Sequence, residues 1–213
     1  MEKIIVKNIT DRQKLTIKNG INTYLYIQNH HEQDSEDFRN VYYDFYLKAR
    51  SSVFAKKKTN TEKKEKEDNP NWDKYFKLLN DSKGEEPLIS IVKNIESFTG
   101  SYEFSFASKL LHTKNTSVPI YDSKVRDYLK KVEKVKLVSL DVTVKNEEDK
   151  EDKRKKKIDK INNNWKELNK WYDEFFESGR AKEWLDWFDD NFPEGKSISD
   201  VKKIDFIIFA CTS

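Results

Sequence analysis

The chain of 213 residues contains a single cysteine, Cys211. One thiol cannot form an intrachain disulfide, a four-cysteine zinc site or a cysteine-ligated iron–sulfur cluster, and it fits a reducing compartment. Histidine is nearly as scarce: there are three, and the pair His30–His31 has no companions at metal-ligand spacing. The sequence therefore predicts neither a metal site nor a cofactor.

Long apolar runs are also missing. No window approaches the roughly 20 uncharged apolar residues of a membrane-spanning helix. The stretch from Met1 to Thr10 lacks the apolar core and the small-residue cleavage site of a secretory signal. We therefore predict a cytoplasmic protein without a membrane span.

Charge of one sign is not in large excess, because 41 Lys and Arg residues face 38 Asp and Glu residues and leave a net charge of +3. Total charge therefore does not indicate a nucleic-acid partner, and only its distribution can. Two basic runs, between Lys56 and Lys66 and from Lys153 to Lys157, are interleaved with acidic residues. They are typical of a solvated linker and a solvated helix face, and phosphate contact is the alternative.

The chain length suits one domain over residues 1–213, with two lobes around a cleft as the alternative. Residues 55–69 are almost entirely Lys, Glu, Thr, Asn and Asp. Because such a segment has nothing to bury, ordering it costs entropy that no contact returns. It is predicted to be an exposed, flexible, charged loop.

Apolar residues recur at intervals of three and four over most of the chain, which predicts a mainly α-helical protein. Gly100 is the expected end of a helix that starts after Pro87. Two other patterns allow a small β-hairpin. One is at the N-terminus, where Ile4–Val6 and Tyr24–Ile27 flank an Asn19-Gly20 turn signal, and the other is a period-two alternation in residues 135–145.

The stretch from Gly100 to Val132 predicts two helices joined by a short apolar connection, with Asp122 at the start of the second helix. A carboxylate there accepts backbone N–H groups and lies at the positive end of the helix dipole, which favours its ionised form. Such a group can stabilise a sugar cation or orient a water molecule. The same position equally describes an ordinary helix cap.

The segment Val118-Pro119-Ile120-Tyr121-Asp122-Ser123-Lys124-Val125 resembles the surroundings of the catalytic aspartate in the HhH-GPD superfamily of helix-hairpin-helix DNA glycosylases, particularly its adenine-glycosylase branch. In that family an apolar, proline-containing turn leads into Asp, a small residue and Val. Gly100 looks like a hairpin glycine of the family. The resemblance covers about a sixth of the chain. It implies a multi-helix HhH-GPD-like bundle that acts on DNA, with Asp122 as the catalytic carboxylate.

Two departures from the family pattern concern the hairpin. Gly100 has no second glycine at Tyr102, which puts the grip of the hairpin on a DNA phosphate in doubt. The Schiff-base lysine of bifunctional members is absent, because Glu103 or Phe104 stands there and Lys109 lies more than a turn later. The resemblance therefore implies a monofunctional enzyme that uses water as the attacking species.

Further residues are candidates through the resemblance. DNA contact is expected from five residues: Gly100, Ser101, Ser105, Lys109 and Lys124. Tyr121 and His112 are candidates for a base pocket, since flipped bases stack on aromatic rings. The structural alternatives are solvated lysines for Lys109 and Lys124, core packing for Tyr121 and a helix-end cap for His112.

Two hypotheses of different classes follow. The first is a monofunctional DNA N-glycosylase that hydrolyses the base–sugar bond in duplex DNA with a damaged or modified base. The second is a non-catalytic nucleic-acid or protein-binding helical module that keeps the glycosylase-like scaffold and uses Asp122 only as a cap. The sequence identifies neither the base nor an oligomeric state.

Overall fold

The computed structural model describes residues 3–47, 70–140 and 150–212. Within them the chain forms nine α-helices and no β-strand, which confirms a mainly α protein. The helices are α1 (Asp11–His30), α2 (Glu36–Tyr42), α3 (Pro70–Asp81), α4 (Leu88–Thr99), α5 (Phe104–Lys114), α6 (Ser123–Lys131), α7 (Lys150–Phe176), α8 (Gly179–Asn191) and α9 (Asp200–Thr212). The loop predicted over residues 55–69 lies outside the described residues.

The helices divide into two compact units. Residues 1–21 and 116–213 form the first unit, and residues 22–115 form the second, so α1 contributes to both. The cleft predicted between two lobes stays a prediction. Among the described residues, no helix is both long and apolar enough to cross a bilayer.

Aromatic packing holds the first unit together. Helix α9 packs against α6 and α8, and α7 packs against α8. Trp184 of α8 is 1% exposed, and its ring centroid lies 5.0 Å from that of Phe175 and 6.4 Å from that of Tyr128. Since burial of one large apolar side chain stabilises a fold by about 1.5–3 kcal/mol, these rings fix the packing of α6, α7 and α8.

The core of the second unit combines aromatic rings with satisfied hydroxyl groups. Helix α4 packs against α3 and α5. The fully buried hydroxyls of Tyr42 and Tyr75 lie 3.1 Å apart, and Tyr75 donates to the carbonyl of Phe106 at 3.1 Å. Burial raises the pKa of Tyr42 to about 12, so its phenol stays neutral. These bonds allow Tyr42 and Tyr75 to occupy core positions with their hydroxyls paired.

The hairpin expected at the N-terminus is not found, because Tyr24–Ile27 lies inside α1. Ile17, Ile21, Tyr24 and Ile27 recur at helical spacing and are all at most 1% exposed. This buried face outweighs the β propensity of the individual residues. Gly20 makes no turn, since it lies in the helix where a Cβ atom would come within 2.7 Å of the Phe206 ring.

The strand expected in residues 135–145 is likewise not found in residues 135–140, and residues 141–145 lie outside the described residues. In this segment the backbone forms hydrogen bonds with a side chain. Asn164 of α7 accepts from the N–H of Val138 at 2.8 Å and donates to the carbonyl of Val138 at 2.9 Å. The amide of Asn164 thus takes the place of a neighbouring strand.

Gly20→Ala tests the close approach of α1 and α9. Alanine improves helix propensity by about 1 kcal/mol, but the new Cβ would lie 2.7 Å from Cε1 of Phe206, which is 5% exposed. Because overpacking of a core costs about 1–3 kcal/mol, we expect a net decrease in the free energy of unfolding, measured with urea. Gly179→Ala is the matched control, since nothing lies within 4 Å of its Cβ position. Equal effects of the two substitutions would contradict this packing.

Candidate functional site around Asp122

Asp122 caps the N-terminus of α6. Its backbone is extended (φ −121°, ψ 179°), and its Oδ1 accepts from the backbone N–H of Val125 at 2.9 Å. The carbonyl of Asp122 accepts from the N–H of Arg126 at 2.9 Å. The side chain is half-buried. The helix therefore begins where the sequence predicts, with a carboxylate held at its positive end.

Lys124 ties the start of α6 to the end of α9. Its ammonium group donates to the carbonyl of Thr212 at 2.8 Å, and the side chain is half-buried. A lysine at a helix C-terminus satisfies an otherwise unpaired carbonyl and complements the dipole. This bond favours a structural role for Lys124 over DNA contact.

Tyr121 lies in the core beside the cap. Its side chain is 4% exposed, and its hydroxyl accepts from the side-chain amide of Asn164 at 3.2 Å. Burial raises the pKa of Tyr121, so its phenol is neutral. This placement favours core packing over base stacking, and it makes Asn164 the link between the connection before α6 and the segment after it.

Two oppositely charged side chains are buried in α9. Lys202 and Asp205 of α9 form an ion pair, with side chains 4% and 6% exposed. Burial raises the pKa of the Tyr172 phenol, and the negative charges of Asp205 and Asp122 raise it further. Tyr172 therefore stays neutral. Its hydroxyl and Oδ1 of Asp205 have no hydrogen-bond partner among the described residues.

The hairpin between α4 and α5 lies in the second unit. Gly100 has φ 70° and ψ 11°, the left-handed conformation expected of a glycine that ends a helix. Its N–H bonds to the carbonyl of Glu96 at 2.8 Å, and the N–H of Ser101 bonds to the hydroxyl of Thr99 at 3.1 Å. Both N–H groups are thus satisfied internally. Ser105, in the first turn of α5, is half-buried.

Two residues of α5 predicted at the site are buried in the second unit. Lys109 is 9% exposed, and its ammonium donates to the carbonyl of Tyr46 at 2.9 Å. His112 is fully buried, with Nε2 at 3.0 Å from the hydroxyl of Tyr24. These positions favour packing roles over contact with a phosphate or a base. Glu103, where the Schiff-base lysine would stand, is 4% exposed.

Sequence reasoning did not single out the polar groups of Asn164, Tyr172 and Asp205, which are buried. One signal of buried polar groups was present in the sequence: Asn164 lies on the apolar stripe of the helix, between Ile161 and Leu168. The other was the pair Lys202–Asp205, two charges inside an apolar helix. Within the described residues, no group of His, Cys, Asp and Glu is arranged to hold a metal ion.

The capping role of Asp122 predicts how substitutions at this position change the free energy of unfolding. Asp122→Ala removes the bond to the Val125 N–H, and loss of such a cap costs about 1 kcal/mol. Asp122→Asn is expected to keep nearly full stability, because Asn caps as well as Asp. Ser123→Ala, at the exposed next position, is the control. Urea denaturation measures all three. If Asp122→Asn destabilises as much as Asp122→Ala, the cap is not the stabilising interaction.

The chain was compared with known families, curated proteins and solved structures. No family model, curated protein or solved structure matches it. Its function must therefore be inferred from its own residues and their geometry.

Proposed function

We propose that this protein is a monofunctional DNA N-glycosylase in which Asp122 is the catalytic carboxylate. The observation that carries the proposal is the position of Asp122, half-buried at the N-terminus of α6 and fixed there by the Val125 N–H. An anchored carboxylate costs little reorganisation when positive charge develops beside it. The resemblance of the surrounding segment to HhH-GPD glycosylases gives the reaction class.

The order of elements supports the same reaction class. A helix ends at the left-handed Gly100, a three-residue connection follows, α5 begins at Phe104, and Asp122 then caps α6. The resemblance implies this order of hairpin, helix and capped helix.

In the proposed reaction, the bond between the base nitrogen and C1′ of the deoxyribose breaks, and the base leaves with the bonding electron pair. The sugar then carries oxocarbenium-like positive charge, which the carboxylate of Asp122 stabilises. A water molecule adds to C1′ and gives a proton to the carboxylate of Asp122, and that proton then passes through solvent to the nitrogen of the departed base. The products are a free base and an abasic site.

The test is a panel of duplexes, each with one damaged or modified base, assayed for abasic sites with wild type and Asp122→Asn. Asn keeps the cap and removes the charge, so fold and chemistry are separated. We expect wild type to act on at least one duplex, and Asp122→Asn to be slower by roughly 100-fold or more.

Asp127→Asn is the matched control for that experiment. Asp127 lies in the same helix, where it pairs with Arg126 and Lys131 at the surface. Its substitution removes the same charge without touching the start of α6, so activity should be unchanged. Activity that survives Asp122→Asn would exclude Asp122 as the catalytic group.

The second candidate is a non-catalytic nucleic-acid or protein-binding module. One set of observations favours it: the N–H groups of Gly100 and Ser101 are bonded internally, and Lys109 and His112 are buried and hydrogen-bonded. Stable binding to the duplex panel without any abasic product would support this candidate.

A further inference from the structure

A groove of about 610 Å³ lies in the first unit, between residues 133–136 and the adjoining parts of α7 and α8. Its volume lies within the range of about 300–1,000 Å³ typical of small-ligand sites, so a single nucleotide has room. Val135, Trp171 and Phe175 supply its apolar lining. Trp171 is 7% exposed, and its ring centroid lies 4.8 Å from that of Phe175, with the planes inclined by 20°. Four cationic side chains also line it: Lys134, Lys136, Lys170 and Arg180.

The acidic side chains of the groove are mostly neutralised. Glu133 accepts from Arg180 at 2.8 Å and from the hydroxyl of Tyr128 at 2.7 Å. Burial alone would raise the pKa of Glu133, but these hydrogen bonds outweigh it and lower that pKa. Glu174 lies 3.7 Å from Lys170. With Glu167, three carboxylates face four cations, so the groove keeps a positive excess.

The side of α7 that lines the groove carries further lysines towards the N-terminus of the helix. Lys156, Lys160, Asn163, Glu167 and Lys170 follow one another at intervals of three or four residues. Residues at this spacing share one side of a helix, with Cβ atoms about 5–6 Å apart. Lys153 precedes them on the same side. We call Lys153, Lys156, Lys160 and Lys170 the basic face of α7.

The N-terminal half of α7 carries a concentrated positive charge. From Lys153 to Lys160 six cations stand against one carboxylate, that of Asp159. Residues 151–156 are exposed. Lys156 forms an ion pair with Asp152 at 2.6 Å, and Lys160 is half-buried.

We propose that the basic face of α7 and the groove bind a single strand of nucleic acid, with phosphates along the lysines and one base against Trp171. A cationic track beside aromatic rings is how proteins hold single strands without reading their sequence. The residues that line the groove include neither Asp122 nor any residue of α6. Strand binding therefore does not require base excision.

The test measures binding of a fluorescein-labelled oligothymidine of about 20 nucleotides by anisotropy at several salt concentrations. The triple variant Lys153→Gln, Lys156→Gln, Lys160→Gln should bind roughly 10-fold or more weakly at low salt. The slope of log affinity against log salt concentration should become less steep by about 2 in this variant. This corresponds to about 0.7 for each phosphate that a lysine no longer neutralises. Glu167→Gln, on the same side of α7, should bind more tightly.

A matched triple variant controls for net charge. Lys77→Gln, Lys182→Gln and Lys196→Gln remove three exposed lysines from other helices and turns, and should leave binding unchanged. The oligonucleotide should also quench tryptophan emission in wild type and do so less in Trp171→Phe, which keeps an aromatic ring beside Phe175. Equal weakening of oligothymidine binding by both triple variants would overturn the proposal. So would equal weakening of duplex binding and oligothymidine binding by the Lys153, Lys156 and Lys160 variant.

Discussion

The hydrogen bond between the carboxylate of Asp122 and the N–H of Val125 is the interaction on which the candidate site depends. It fixes the residue at which α6 begins, and so which side chains of α6 enter the core. Tyr128 and Leu129 are fully buried as a consequence. The same bond holds a negative charge at one point near the surface. An ordinary cap and a preorganised catalytic carboxylate are therefore the same structure, and they differ only in whether a substrate reaches the charge.

Local patterns predicted the elements that depend on neighbouring residues. Gly100 ends α4 in the left-handed conformation, and Asp122 caps α6, because both roles are set within a few residues of the chain. Features that depend on distant partners were not predictable. Gly20 lies inside a helix where the ring of Phe206 leaves no room for a Cβ atom, and the amide of Asn164 replaces a strand beside Val138. The sequence alone shows neither partner.

The positions of the lysines in the structure move the expected contact with nucleic acid from Lys109 and Lys124 to the start of α7. Lys109 and Lys124 both donate to backbone carbonyls, of Tyr46 and Thr212, and these bonds are worth more to the fold than a solvated charge. The basic run that begins at Lys153, by contrast, is exposed at the start of α7. Its composition alone is typical of a solvated helix face. The groove farther along the same side of α7 is the observation that favours nucleic acid as its partner.

A carboxylate that acts on a sugar cation should bind a charged analogue of that cation more tightly than a neutral one, since enzymes are complementary to the transition state. The most direct measurement compares the affinities of two duplexes, one with a cationic pyrrolidine in place of the abasic sugar and one with the neutral tetrahydrofuran. Wild type should prefer the cationic duplex, and Asp122→Asn should lose that preference while retaining its stability. Equal preference in the two proteins would show that the charge at position 122 does not face the sugar.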